Sequence, residues 1–363
     1  MLTAIGLMSG TSLDGIDAAI LRTDGVHVEV TPHHLVRPYD AAFSGKLSQA
    51  IRTRAVTSGL ERELTLRHAD AVQELLQQTG IPASNIDVIG FHGQTIFHAP
   101  EEAKTWQIGD GPLLAERTGI PVVYDFRSAD ILAGGQGAPL APLYHDAIMR
   151  VQSANPVAVL NIGGVANVTY IRRHAGGSEM LACDTGPGNA LLNDWMLHHT
   201  GEPCDWNGTC AAKGKVHKDV IRQFFRHAYF RKPPPKSLDR NAFSLGMLEG
   251  LSAEDGAATL AAITVQSVVL AARYFPEPPE AWYVVGGGRY NQTMMDSLNY
   301  YFNSSVRPID NIGISSDIIE AQAFAFLAVR RMKNLPTSLP GLTGAKLPAV
   351  GGVFCPVVAK TLA

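Results

Sequence analysis

The sequence has 363 residues, of which 46% are hydrophobic and 17% are charged, and its formal net charge is −3. These values exclude a disordered chain, and the absence of any long run of Lys or Arg gives no support for a nucleic-acid or anionic-membrane surface. We expect two domains with a cleft, because one hydrophobic core rarely grows to this size.

The cysteine pattern and the N-terminus indicate a cytoplasmic protein. The four cysteines, Cys183, Cys204, Cys210 and Cys355, form no CxxC pair, which favours reduced structural thiols. The N-terminus MLTAIGLMSGTSLDG has no basic region followed by an apolar stretch, so we expect no targeting signal. We also expect no apolar segment long enough to span a bilayer.

The first half reads as an α/β domain that opens with antiparallel strands. Apolar runs at Thr3–Met8 and Asp17–Arg22 predict a hairpin with a polar tip, and Val26–Val30 alternates as a third strand. Helical patterns begin at about Ala41. Further on, the pattern predicts strands at Ile86–Phe91 and Pro121–Phe126 and a helix at Leu113–Thr118.

The second half repeats this plan. Strands are predicted at Val157–Ile162, Val168–Ile171, Met180–Cys183 and Ala281–Val285, and helices at Leu191–His198 and from about Gln292. The run KPPPK at Lys232–Lys236 cannot continue a helix, because proline lacks the amide donor, and we expect a surface excursion there. A long helix is expected at Asp317–Arg331.

The turn MSGTSLDG has the composition of a phosphate-binding loop. Phosphoryl transfer needs donors around the phosphate oxygens, a cation and a base. In Ser9–Gly15 the small residues allow close backbone approach, Thr11 and Ser12 add hydroxyls, and Asp14 is suited to a hydrated magnesium ion. For this loop alone an ordinary hairpin turn is the more common interpretation.

Two further glycine loops occupy suggestive positions. NIGGVAN at Asn161–Asn167 stands in the second half where MSGTSLDG stands in the first, and such a pair of hairpins can close on one triphosphate. Gly286–Gly288 ends a strand before a helix, a place where backbone can lie against adenine or ribose. A tight strand-to-helix turn explains the three glycines equally well.

Candidate groups for the chemistry follow predicted strands. Asp184, in CDTGPGN, is a general-base candidate before a helix that Asn189 is placed to cap, although an Asx-turn carboxylate is the common alternative. FHGQT, WQIGDG and DFR with Asp130 are polar loops for the acceptor. Arg127 suits a bidentate grip on a carboxylate or phosphate, or else a surface salt bridge. His92 either orients a hydroxyl or is a structurally satisfied histidine.

Taken together, these loops carry a resemblance to a known family. GLMSGTSLDGID, FHGQT, WQIGDG, DFRSADILAGGQGAPLAP, NIGGVAN, DTGPGN, GGGRYN and DIIEAQAFAFLA occur in this order over essentially the whole chain. In this the sequence resembles the anhydro-N-acetylmuramic acid kinase family. The resemblance implies the actin, hexokinase and Hsp70 ATPase fold, with two ribonuclease-H-like α/β domains around a central nucleotide cleft, assembled as a homodimer. We expect domains at 1–135 with about 325–363, and at 136–324.

The resemblance also implies an ATP- and Mg²⁺-dependent reaction in which water opens 1,6-anhydro-N-acetylmuramic acid at C1 and O6 accepts the γ-phosphoryl group. It assigns Asp184 as the catalytic base, while the loop composition makes Asp14 the candidate for a water-mediated magnesium contact. The expected ATP-binding residues are Gly10, Thr11, Ser12, Leu13, Asp14, Gly15, Ile16, Asp17, Gly163, Gly164, Asn167, Gly286, Gly287, Gly288 and Asn291. The expected substrate-binding residues are His92, Gln94, Thr95, Gln107, Arg127, Asp130 and Glu320.

Two other functions compete with this interpretation. A simpler sugar or carboxylate kinase of the same fold would not use water as a reactant. A nucleotide-gated binding module or chaperone-like ATPase would bind ATP without transferring its phosphate to a sugar. The polar loops and Asp184 favour the kinase.

Overall fold

The computed structural model describes residues 1–10, 13–239 and 242–358. The chain divides into two compact units, the first formed by Met1–Arg150 with Asp317–Ala363 and the second by Val151–Ser316.

Strands and helices alternate through both units. Up to residue 150 the elements are β1 Leu2–Met8, β2 Gly15–Thr23, β3 Val28–Pro38, α1 Ala41–Thr53, α2 Leu60–Thr79, β4 Val88–Phe91, β5 Gln94–Ala99, β6 Lys104–Ile108, α3 Gly111–Thr118, β7 Val122–Tyr124, α4 Ser128–Leu132 and α5 Pro142–Met149. The second unit contains β8 Val157–Ile162, β9 Val165–His174, β10 Gly177–Pro187, α6 Ala190–Thr200, α7 Lys218–Phe224, α8 Ala253–Ala272, β11 Ala281–Val285, α9 Gln292–Tyr301 and β12 Ser305–Pro308. The chain then returns to the first unit with α10 Ile319–Met332, α11 Pro340–Thr343 and β13 Val353–Cys355.

The two main sheets share one topology. The first has the order β13-β7-β4-β1-β2-β3 and the second β10-β9-β8-β11-β12. In each sheet three consecutive strands form an antiparallel meander, and the next two strands of the order run parallel to its first strand. The predicted pair of ribonuclease-H-like α/β units is therefore confirmed.

Helix α10 packs directly on the first sheet because two strand residues have no side chain. A Cβ atom at Gly6 of β1 would lie 1.7 Å from the carbonyl oxygen of Ala321, and one at Gly90 of β4 would lie 2.0 Å from that of Phe324. Glycine at both positions lets the helix backbone approach the sheet. The last long helix of the chain thus completes the core of the first unit.

Helix α8 corrects one expectation from the sequence. Its 20 residues, Ala253–Ala272, are apolar and long enough to cross a bilayer by length and composition, whereas no such segment was expected. In the structure 67% of its apolar window is buried, and Ala257, Ile263 and Val268 belong to the core of the second unit. Burial on most sides explains its composition.

The sequence patterns missed four short strands. β5, β6, β12 and β13 have between three and six residues each, too few for a clear alternation, whereas the equally short β4 and β7 were predicted from β-branched and aromatic runs. All four cysteines are free, as predicted.

Candidate active site

Two of the predicted glycine loops meet at one end of the second sheet. Strands β8, β10 and β11 run in the same direction, so their carboxyl ends share an edge. There the amide of Asn189 donates to the carbonyl of Gly163 at 2.7 Å, and the amide of Gly188 donates to that of Gly164 at 3.0 Å. The loop DTGPGN is therefore bonded to NIGGVAN. Asn189 is the N-cap residue of α6 as predicted, but its side chain caps nothing and donates to the Ile162 carbonyl instead.

The third glycine loop packs against the same hairpin. Gly286 has a positive φ of 78°, and a Cβ atom there would lie 2.4 Å from Oδ1 of Asn161. A Cβ at Gly288 would lie 2.3 Å from Cγ2 of Ile162. Close approach therefore requires glycine at both positions. Asn291 follows as the N-cap of α9 and accepts a hydrogen bond from the Met294 amide at 3.0 Å.

Asp184 lies close to these loops, on β10. It is half-buried and faces Asn167 in the β9–β10 register, which shifts between Asp184 and Gly186. Its Oδ2 accepts a hydrogen bond from the amide of Leu238 at 2.7 Å. This register shift is a β-bulge, which changes the direction of the strand at this point. The structure thus brings together Asp184, Asn167 and the glycine residues predicted for the second unit.

The proline-rich run differs in part from its prediction as a surface excursion. Lys232 and Pro233 are exposed, but Lys236 is only 7% exposed. The Lys236 ammonium lies 4.3 Å from the ring centroid of Tyr229 and donates to the Tyr229 carbonyl at 3.3 Å. These contacts compensate for removing the charge from water, and proline geometry alone does not reveal them.

In the first unit, the MSGTSLDG turn is bonded to the FHGQT loop. The hydroxyl of Ser9, which is 1% exposed, donates to Oε1 of Gln94 at 2.6 Å. Nε2 of Gln94 donates to the carbonyl of Gly10 at 3.3 Å. Gln94 is itself fully buried, so these two hydrogen bonds anchor the turn to the protein interior. Thr11 and Ser12 lie outside the described residues.

Acidic side chains surround the end of this turn. Burial, together with the negative charges of Asp14, Glu320 and Asp317, raises the pKa of Asp17 to about 7. Asp14 is exposed, and Glu320 is half-buried in the first turn of α10. Within residues 1–10, 13–239 and 242–358, no three His, Cys, Asp or Glu side chains gather as direct metal ligands. The negative charge fits a hydrated cation better than a cation held by the protein alone.

The buried His92 pairs with the half-buried Arg127. Nε and NH2 of Arg127 lie 3.3 and 2.9 Å from Nε2 of His92, which must accept because a guanidinium only donates. Nδ1 of His92 therefore carries the proton and donates to the carbonyl of Gly93 at 2.8 Å. Burial lowers the pKa of His92 well below its ordinary value, and the Arg127 charge adds to this. The imidazole is neutral.

Asp130 is 1% exposed, and its carboxylate binds the protein itself. Oδ2 accepts from the amide of Gly137 at 2.7 Å, and Oδ1 accepts from the hydroxyls of Ser338 and Thr343. The carbonyl of Gly137 in turn accepts from NH1 of Arg127 at 2.7 Å. This arrangement favours a role in fixing the loop that carries Gly137.

The remaining predicted substrate residues lie on the β5–β6 hairpin. Thr95 and Gln107 are half-buried and face each other across it, with Nε2 of Gln107 3.3 Å from Oγ1 of Thr95. Four residues that contact the predicted site residues lie in no recognisable motif. The hydroxyl of Tyr39 is 2.9 Å from that of Ser9, the hydroxyl of Tyr229 binds the Asp184 carbonyl, and Ser338 and Thr343 bind Asp130. All four are distant in the chain from these partners.

The family model and the curated relatives agree on one family. The family model described as anhydro-N-acetylmuramic acid kinase matches residues 2–357. The anhydro-N-acetylmuramic acid kinase of Gluconobacter oxydans is 48% identical over 364 residues, covering 97% of this chain and 99% of its own. That of Paramagnetospirillum magneticum is 50% identical over 352 residues, covering 96% and 98%. Among solved structures, component A of the (R)-2-hydroxyglutaryl-CoA dehydratase of Acidaminococcus fermentans has a TM-score of 0.47 at 12% identity, covering 92% and 100%.

Proposed function

This chain belongs to the anhydro-N-acetylmuramic acid kinase family, and we propose how its residues carry out the reaction of that family. It is an ATP-dependent kinase of 1,6-anhydro-N-acetylmuramic acid that serves peptidoglycan recycling and amino-sugar metabolism. The reaction consumes the anhydro sugar, water and ATP and gives N-acetylmuramic acid 6-phosphate and ADP. The observation that carries the proposal is the hydrogen bonding between the NIGGVAN loop and the DTGPGN loop, which begins at Asp184. The chain that contains them matches the family over residues 2–357.

Asp184 acts as the general base. It takes a proton from water, whose oxygen bonds to C1 of the sugar while the C1–O6 bond breaks and leaves its electron pair on O6. O6 then bonds to the γ-phosphorus as the bond from that phosphorus to ADP breaks. The half-buried position of Asp184 and its hydrogen bond from the Leu238 amide support this role, because a base must be held in one geometry.

The glycine loops bind ATP. Gly10–Asp17 in the first unit and Gly163, Gly164 and Asn167 in the second are assigned to the phosphates, because main-chain amides of such glycine-rich loops stabilise negative charge. Gly286–Gly288 and Asn291 contact the adenosine. The mutual packing of Gly286 and Gly288 with Asn161 and Ile162 supports the assignment of the two glycine loops of the second unit to one nucleotide.

The first unit binds the sugar. Arg127 contacts the lactyl carboxylate, since its guanidinium is oriented by His92 and by the Gly137 carbonyl. Thr95, Gln107 and Glu320, all half-buried, provide polar contacts. His92, Gln94 and Asp130 hold the sugar-binding loops in place from the protein interior. All three are at most 5% exposed and form hydrogen bonds with neighbouring protein atoms.

Magnesium accompanies ATP. The exposed carboxylate of Asp14 would hold the ion through water, and the negative charge of Glu320 and Asp317 near Asp17 supports a cation at this turn. Mg²⁺ bound there would neutralise charge on the phosphate oxygens. We further propose a cytoplasmic homodimer that requires neither nucleic acid nor a membrane. Sedimentation of the purified chain tests the dimer.

Isotope labelling tests the role of water. The reaction is run in oxygen-18 water, quenched early, and analysed by mass spectrometry for label at C1 and in the phosphate. We expect one labelled oxygen at C1 and none in the transferred phosphoryl group. The C1 hydroxyl oxygen of a free sugar slowly exchanges with the oxygen of water, which also introduces label. Unlabelled product incubated in the same water for the same time is therefore the control. Label at C1 no higher than in this control would indicate a kinase that does not use water.

A further inference from the structure

Asp184 lies on a sheet edge that needs covering. Strand β10 ends the order β10-β9-β8-β11-β12, so one side of it has no neighbouring strand in that sheet. Such an edge leaves amide and carbonyl groups that require other partners. At Asp184 the pairing with the neighbouring strand is also irregular, because the β9–β10 register shifts between Asp184 and Gly186. The position of the main chain at Asp184 is therefore set by whatever covers this edge.

The segment Tyr229–Leu238 covers it and contacts Asp184 at three atoms. The amide of Asp184 donates to the Lys236 carbonyl at 3.0 Å. The Asp184 carbonyl accepts from the hydroxyl of Tyr229 at 2.6 Å. Oδ2 of the carboxylate accepts from the amide of Leu238 at 2.7 Å. Both main-chain groups and one carboxylate oxygen of Asp184 are thus bound by one segment.

The segment is itself anchored. Tyr229 is 4% exposed and packs in an aromatic cluster with Phe224, Phe230 and Phe243. Lys236 closes the segment through its hydrogen bond to the Tyr229 carbonyl. Burial lowers the pKa of the Lys236 ammonium, and the nearby charge of Asp184 acts against that shift. Burying a charged lysine side chain costs free energy. A function of Lys236 beside Asp184 would explain why this cost is accepted.

We propose that the segment Tyr229–Leu238 is a positioning element for Asp184, with Tyr229 and Lys236 as positioning residues. The three prolines of the segment support this, because proline cannot extend a strand ladder and keeps the covering chain from becoming a further strand. The segment holds the Asp184 carboxylate in the orientation that removes a proton from water. This inference rests on the proposed role of Asp184 as the base.

The variant Tyr229→Phe tests it, because it removes the hydroxyl that binds Asp184 and keeps the aromatic ring. We expect kcat to fall about 10-fold, the scale of one well-placed hydrogen bond, with KM for ATP and for the sugar within about twofold of wild type. Tyr283→Phe is the matched control. Tyr283 is 1% exposed in the same unit, and its hydroxyl bonds to Gln152 and Arg307 instead. It should leave kcat unchanged.

A double-mutant cycle separates positioning from general stability. Turnover is measured with γ-labelled ATP for Asp184→Asn, Tyr229→Phe and the double variant. If Tyr229 acts through Asp184, the double variant is no slower than Asp184→Asn alone. Losses that multiply in the double variant, or a Tyr229→Phe enzyme as fast as Tyr283→Phe, would overturn the inference while leaving an inactive Asp184→Asn as support for the base. An active Asp184→Asn would remove the base assignment itself.

Lys236→Met provides a second variant in case Tyr229→Phe does not fold. It keeps the length of the side chain and loses the bond to the Tyr229 carbonyl. We expect the same loss in kcat without a change in KM, with the melting temperature and ATP binding measured in parallel. Wild-type kcat in a folded Lys236→Met enzyme would count against the proposal.

Discussion

Thr343 donates a hydrogen bond from its hydroxyl to Oδ1 of Asp130 at 2.6 Å, although 213 positions separate the two residues. Asp130 in turn holds the Gly137 amide, and the Gly137 carbonyl binds Arg127. A residue of the C-terminal segment therefore helps to fix the guanidinium that we assign to the sugar carboxylate.

Removing the Thr343 hydroxyl should destabilise the protein. Thr343→Val leaves the buried Asp130 carboxylate with one donor fewer, and we expect a loss of about 1.5–3 kcal/mol in the free energy of unfolding. Urea unfolding followed by circular dichroism measures it. Thr53→Val, at an exposed position of α1, is the control and should change stability by less than about 0.5 kcal/mol. Equal stability of the two variants would contradict the network.

Replacing Asp184 by Asn should abolish most turnover and keep ATP binding. Asn has nearly the same shape and still accepts from the Leu238 amide, but it cannot take a proton from water. We expect kcat to fall by about 10²–10⁴, the usual contribution of a general base. Asp219→Asn, at an exposed carboxylate of α7, should behave as wild type. ADP release and ATP binding are measured on the same preparations, and near-normal kcat would remove Asp184 from the mechanism.

Asp14→Asn should weaken the use of magnesium. The exposed Asp14 carboxylate is assigned to the water shell of the ion, and an amide attracts a hydrated cation less strongly. Titration of the initial rate with Mg²⁺ at fixed ATP should show half-saturation at a higher concentration than in wild type. Asp70→Asn, an exposed carboxylate on α2, is the control. An unchanged magnesium curve would argue against the assignment.

Stability should fall as the pH decreases from 6 to 5. Burial lowers the pKa of His68 to about 4, that of His145 to about 3 and that of His92 well below its ordinary value. In this range the unfolded chain binds a proton at each of the three, and the folded chain does not. Asp17 opposes this effect, because its pKa is raised to about 7 and the folded state holds the extra proton. Three histidines take up a proton on unfolding and one carboxyl releases one, so unfolding takes up about two protons net. The free energy of unfolding therefore falls by about 2–3 kcal/mol for each pH unit.

Two substitutions check the sign of this pH effect. His68→Leu should make the dependence of unfolding free energy on pH shallower by about 1.4 kcal/mol per unit, since one proton no longer binds on unfolding. Asp17→Asn should make it steeper by a similar amount. Urea unfolding at pH 5, 6 and 7 measures both slopes. Parallel curves for wild type and His68→Leu would show that His68 is not held neutral by burial.

Most elements of the fold were predictable from local pattern. Alternating or continuous apolar runs gave β1, β2, β8 and β11, and apolar periodicity gave α10, because each is long enough for its period to be read. Strands β12 and β13 have four and three residues, too few to show alternation, and they were missed. No apolar segment of membrane-spanning length was expected, whereas α8 has that length and composition and is buried in the core of the second unit.

Local composition identified the loops with small, polar and acidic residues, and the order of these loops identified the family. Which groups face each other follows from the tertiary fold, because contacts across tens or hundreds of positions leave no local pattern. Asp184 was visible as a carboxylate after a strand, but its binding by Tyr229, Lys236 and Leu238 depends on how a proline-rich segment folds back on a sheet edge. Asp130 was predicted to bind the substrate, and only the fold reveals its burial and its hydrogen bonds from Ser338 and Thr343.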